Sequence, residues 1–133
     1  EVGLHMFIVG FESGNQRILD LLQKGTTVEQ NVEAAEICHR NNVKVWANIM
    51  WGMPTETREE VQDTVNMVKK IKPHAFSPAF YTPIFGTGLY DYCKEKELLL
   101  SENPAHLGTR SPTEPKIKGV DYPFLREVLA QFG

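Results

Sequence analysis

A chain of 133 residues, 41% of them apolar, is long enough for one domain with a core of its own. Its net charge of −3 gives none of the basic field that nucleic-acid binders use, so no nucleic-acid partner is expected. No apolar run reaches the ~18 residues of a membrane span, and the first residues lack the positive region of a signal peptide, so the expectation is a cytoplasmic protein with no membrane partner.

In chain order, Met6-Phe-Ile-Val-Gly is a short, nearly continuous apolar run, as in a strand buried on both faces. Ser13 with Gln16 has the spacing of a capping box, Ile18, Leu19, Leu21 and Leu22 give an apolar helical face, and Gly25 fits a C-cap. Thr27 and Gln30 repeat the capping spacing. Val28, Val32, Ala35 and Cys38 then continue at helical intervals as far as Asn41-Asn42. The second strand is Val43 to Trp51. After Gly52-Met-Pro, Thr57 and Glu60 form a third capping box, and Val61, Val65, Val68 and Ile71 make an apolar stripe that Pro73 ends. A third strand runs from Phe76 to Thr82, with Pro78 implying a bulge or a late start. Pro83 to Gly88 is a turn, Leu89 to Leu99 a short helix, Ser101 to Asp121 a loop or linker, and Tyr122 to Phe132 a last amphipathic helix.

Alternating strands and helices with short connections define an α/β chain with a parallel sheet and right-handed crossovers. Three βα units are too few to close a barrel, so the expectation is a partial (β/α) TIM-type barrel over residues 1–100, with a loop and short helix over 101–133. Two open sheet edges and one poorly covered face should seek the rest of a barrel or a second copy of the chain. No Met stands at position 1, which suits an excised segment.

Sites in such sheets lie at the carboxyl ends of the strands. Those ends carry Glu12 and Ser13, then Asn48 and Gly52, then Tyr81, Thr82 and the turn Pro83, Ile84, Phe85, Gly86. Glu12 is an acceptor for ribose hydroxyls or an ammonium, Asn48 can both donate and accept, and Lys24 offers a cation one helix away. Helix N-termini after Ser13 and Thr57 add N–H groups that attract anions. Each has a structural alternative: Ser13 as an N-cap, Glu12 against its helix dipole, Asn48 with a buried partner, Lys24 at a helix C-terminus, Glu56 serving the next helix. Cys38 and Cys93 match no metal spacing or CxxC pair and read as small core groups, Trp46 and Trp51 as packing groups, and the four histidines are scattered.

The series GFESGNQRILDLLQKGTT (Gly10–Thr27), NIMWGMPTET (Asn48–Thr57) and FYTPIFGTGLY (Phe80–Tyr90) resembles the second half of a radical S-adenosylmethionine enzyme. The likeness is to the cobalamin-binding-domain type related to anaerobic magnesium-protoporphyrin cyclases, with kinship to methylthiotransferases and coproporphyrinogen dehydrogenases. The resemblance covers roughly residues 3 to 100. It implies a (β/α)6 barrel of which these strands are the fourth, fifth and sixth. It also implies that Glu12 and Ser13 lie beside the methionyl and ribose parts of S-adenosylmethionine, Lys24 meets its carboxylate, Asn48 holds its ribose hydroxyls, and Pro83 to Gly86 lie against adenine.

The implied enzyme is an oxidoreductase with a [4Fe-4S] cluster, which reductively cleaves S-adenosylmethionine to a 5′-deoxyadenosyl radical. Cobalamin in an upstream domain is a further implied cofactor. The family's CxxxCxxC motif and its glycine-glycine-glutamate stretch are absent from these residues, so the chain by itself is expected to be inactive. The alternative expectation is a non-catalytic α/β half-barrel that binds a nucleotide or phosphate. The substrate, a small molecule, is not readable from the sequence, and methyl transfer, ring formation and methylthiolation are all compatible.

Overall fold

The computed structural model describes residues 3–103 and 112–132, and the expected loop therefore lies partly outside the described residues. The elements are β1 (Met6–Glu12), α1 (Gln16–Leu21), α2 (Val28–Arg40), β2 (Lys44–Trp51), α3 (Arg58–Ile71), β3 (Ala75–Phe80), α4 (Gly88–Glu95) and α5 (Tyr122–Ala130). The strands form one parallel sheet in the order β1-β2-β3. The chain divides into two compact units: Glu1–Ile49 with Arg58–Ser77, and Met50–Thr57 with Pro78–Gly133. Among the described residues no helix is long and apolar enough to cross a membrane.

In the first unit, β1 and β2 pair in parallel from Met6↔Lys44 to Gly10↔Asn48; the register then slips, so that Glu12 rather than Phe11 aligns with Ile49. Along β2, Val45, Ala47 and Ile49 are buried whereas Lys44 and Trp46 are exposed. Strand alternation thus gives the sheet one packed face and one open face. The open face carries Ile8 and Gly10 of β1 next to Trp46 and Asn48 of β2. Burial of β1 on both faces, expected from its apolar run, is not found: Phe7 is 49% and Ile8 63% exposed. β1 is the edge strand of the described sheet, and Ile8 stands exposed on its open face.

The packed face lies under helices whose sequences explain their limits. The apolar stripe of α3 is buried at Val61, Val65, Val68 and Ile71, with Thr64 and Met67 between them, and α3 packs on α2. The capping box at α2 forms as read: Thr27 N–H donates to Gln30 Oε1 at 2.9 Å, and Gln30 N–H to Thr27 Oγ1 at 3.2 Å.

The limits of α1 differ from the sequence reading at both ends. Its N-cap is Asn15, whose Oδ1 accepts from Ile18 N–H at 3.4 Å, because the Ser13 hydroxyl is engaged elsewhere. Its C-terminus closes before Gly25, with Gln23 at φ 53 and Lys24 N–H donating to Leu19 O at 3.0 Å. That is a Schellman motif in which Gln23 takes the left-handed place that glycine usually fills.

In the second unit, Trp51, Phe80, Tyr90, Cys93, Tyr122, Leu125 and Val128 are buried. Tyr81 N–H donates to Trp51 O at 2.7 Å. The expected helix after Leu89 stops at Glu95, because Glu97 turns left-handed (φ 53) and Leu98 N–H closes on Cys93 O at 2.8 Å. Ile117 bridges to Leu99, and the Tyr122 hydroxyl accepts N–H groups of Lys116 and Ile117, each at 2.9 Å. The described end of the Ser101–Asp121 loop is therefore held by specific hydrogen bonds.

A candidate cofactor rim at the end of the first strand

The bulge at the end of β1 sets the geometry of the rim. Glu12 has φ 63, and Ser13 N–H donates to Phe11 O at 2.8 Å across it. An i to i+2 bond around a positive φ is a γ-turn of the rarer, strained hand. Among the described residues, the other non-glycine positions with positive φ are Gln23, Asn42, Lys72 and Glu97, all just past helix ends, and Thr55 in a loop, and only Glu12 takes it at the end of a strand.

The turn folds the Glu12 carboxylate back over Gly10, where its Oε1 lies 3.2 Å from Lys24 Nζ. A Cβ at position 10 would collide with Glu12 Oε1 and come within 3.3 Å of Lys24 Nζ. Gly10 is therefore the seat of the ion pair. Its register partner on the same open face is Asn48, which is half-buried. The structure thus brings Glu12, Lys24 and Asn48 together on the open face at the carboxyl end of two adjacent strands. The Schellman motif of α1 explains Lys24: it turns the chain after Leu22 so that the next side chain runs back toward β1.

Ser13 is placed differently. It is fully buried and faces α3, with its Oγ 3.1 Å from Thr64 Oγ1 and accepting Asn15 N–H at 3.1 Å. Gly14 N–H also donates to Thr64 Oγ1, at 2.9 Å. A Cβ at Gly14 would sit 2.6 Å from Asp63 O and 2.7 Å from Thr64 Cα, so only glycine permits this approach. Sequence reasoning missed Thr64 and Asn31, although each is a polar residue at a buried helix position, which is itself a signal. At the starts of α1 and α2 the caps Asn15 and Thr27 each accept one N–H, from Ile18 and Gln30.

The remaining candidates lie in the second unit. Pro83 is buried, while Ile84 and Phe85 are 64% and 78% exposed at the tip of a turn closed by Thr87 N–H to Ile84 O at 3.2 Å. Gly86 takes φ 84 there. Glu56 serves its own loop: Oε2 accepts the N–H groups of Gly52 and Met53 at 2.7 and 3.2 Å. Burial holds the Cys93 thiol above its ordinary range. Burial, followed by the nearby Cys93, pushes the Tyr81 hydroxyl well above the usual phenol range, against a smaller lowering by Thr87.

A three-stranded parallel α/β sheet with a polar cluster at its carboxyl rim is consistent with part of a (β/α) barrel. Residues 1–68, slightly more than half of the chain and including that rim, match the Radical SAM superfamily. The chain belongs to that superfamily.

It is 34% identical over 103 residues to an uncharacterised methyltransferase of Pyrococcus horikoshii, covering 77% of this chain and 22% of the relative. It is 32% identical over 83 residues to the anaerobic magnesium-protoporphyrin IX monomethyl ester cyclase of Rubrivivax gelatinosus, covering 62% and 15%. It is 30% identical over 87 residues to the tRNA-2-methylthio-N(6)-dimethylallyladenosine synthase of Thermotoga petrophila, covering 64% and 20%. The chain thus spans about a fifth of the length of these relatives. Membership implies S-adenosylmethionine and an iron–sulfur cluster in the parent enzyme, and no cluster motif occurs in this chain.

Proposed function

We propose that this chain forms strands four to six of a (β/α)6 radical S-adenosylmethionine barrel and supplies part of the wall that binds S-adenosylmethionine. The observation that carries this reading is the Glu12–Lys24 pair seated on Gly10 beside Asn48. The donor set suits the group: an acceptor, a cation and an amide stand at the carboxyl end of two adjacent strands. Asn48 holds the ribose diol, donating through Nδ2 and accepting through Oδ1. Glu12 orients the methionyl and ribose region. Lys24 meets the ligand carboxylate and, when it does, shares its ammonium between that carboxylate and Glu12.

Once bound, S-adenosylmethionine supplies the parent's radical chemistry with an electron from the cluster. Cys38 and Cys93, on α2 and α4, do not provide the ligand set for that cluster. The parent is an oxidoreductase in the cytoplasm whose substrate class remains to be assigned, and an upstream cobalamin domain is part of the same proposal. The missing barrel strands are the partner that the open β1 edge requires.

The test is anaerobic reconstitution with iron and sulfide. The chain alone should acquire no iron–sulfur absorption and should not cleave S-adenosylmethionine, whereas the full-length protein should do both. An iron–sulfur chromophore in the isolated chain would overturn the proposal.

A further inference from the structure

We infer that Thr64 and Asn31 are positioning residues for Glu12: they clamp the strained γ-turn that lays its carboxylate over Gly10 and against Lys24. This rests on the reading of Glu12 as a contact of S-adenosylmethionine. A left-handed, non-glycine residue at a strand end persists only where its surroundings over-determine it. Here both flanks of Glu12 are fixed by side chains from other elements.

On the N-terminal flank, Phe11 O accepts two hydrogen bonds, from Ser13 N–H at 2.8 Å and from Asn31 Nδ2 at 3.3 Å. Asn31 is only 7% exposed, so its amide reaches that carbonyl in a dry setting, where a lost bond is costly. On the C-terminal flank, the fully buried Thr64 hydroxyl has one proton, which goes to Glu60 O at 3.3 Å. It also accepts Gly14 N–H at 2.9 Å and lies 3.1 Å from the Ser13 hydroxyl. The Ser13 oxygen accepts Asn15 N–H, so hydroxyls and backbone are joined in one buried network. The network acts on the residues either side of Glu12 and leaves the carboxylate itself facing the open side of the sheet.

The inference predicts coupling, which simple support of the fold does not. Calorimetric titration of the cluster-loaded, full-length protein with S-adenosylmethionine, performed anaerobically, reads it. Thr64→Val and Asn31→Leu should each weaken binding by about tenfold, and Thr64→Ser should restore it, because serine keeps the acceptor and the donor. In a Glu12→Ala background, Thr64→Val and Asn31→Leu should weaken binding no further, although each still lowers the melting temperature.

Wild-type affinity in both Thr64→Val and Asn31→Leu would overturn the inference. So would equal losses in the wild-type and Glu12→Ala backgrounds. If Thr64→Val does not fold, Asn31→Leu and its Glu12→Ala double variant decide the matter. If Glu12→Ala itself binds like wild type, the reading of Glu12 fails and this inference with it. If Glu12→Ala weakens binding while Thr64→Val and Asn31→Leu do not, only the positioning inference fails.

Discussion

The two units of the chain use polar residues in opposite ways. In the first, the end of β1 keeps Glu12 in a strained turn and presents it with Lys24 and Asn48 on the more open face of the sheet. In the second, polar groups are turned inward and serve packing: the Tyr122 hydroxyl ties two backbone N–H groups, and Tyr81 and Cys93 are held neutral by burial. On the reading proposed above, the contacts Glu12, Lys24 and Asn48 belong to the first unit, and the Tyr122 hydrogen bonds belong to the architecture of the second.

That contrast can be broken by substitution. The largest effect is expected from Gly14→Ala, because its Cβ would meet the backbone of α3 at Asp63 and Thr64, which cannot swing aside. A loss of about 3 kcal/mol in urea unfolding is expected. Next, Tyr122→Phe leaves two buried N–H groups without their acceptor and should cost about 2 kcal/mol, with S-adenosylmethionine affinity unchanged. A fall in affinity there would erase the distinction between the units.

Gly10→Ala should do the reverse. The new Cβ displaces only the flexible end of Glu12, so stability should change by less than about 1 kcal/mol while S-adenosylmethionine binding weakens about tenfold. Glu12→Gly sharpens the point about strain: it relieves the positive φ and should raise stability by about 0.5–1 kcal/mol, yet weaken the same binding.

The smallest effect concerns pH and belongs to the second unit. Tyr81, Tyr122 and Cys93 all have folded-state values raised chiefly by burial, so the folded protein holds these protons more tightly than the unfolded chain. Stability from these groups is intact below their ordinary ranges and should fall as pH rises beyond about 9. Lys116, lowered by burial against the opposing effect of Glu114, pulls the other way. Melting curves at rising pH should show a shallower decline in Tyr81→Phe than in wild type.

Much of this was legible in the sequence. Element types followed from periodicity and the Thr27–Gln30 box from spacing. The helix boundaries of α1 were not, because tertiary bonds decided them: Thr64 claimed the Ser13 hydroxyl, and Gln23 rather than Gly25 took the left-handed C-terminal position. The exposure of Phe7 and Ile8 escaped the pattern because an apolar run records what a strand can bury and not which neighbours are present. The γ-turn at Glu12 was invisible, since nothing about a glutamate announces a positive φ. Only the glycines at 10 and 14, one seating the carboxylate and one admitting α3, hinted that backbone and side chains crowd there.

We propose that the open face at the end of β1 and β2 binds S-adenosylmethionine. Anaerobic calorimetric titration of the full-length protein with that ligand, comparing wild type with Asn48→Ala, tests it most directly. The expected result is affinity weakened about tenfold with an unchanged melting temperature, since Asn48 stands half-buried on the more open face of the sheet. Wild-type affinity in Asn48→Ala would contradict the account.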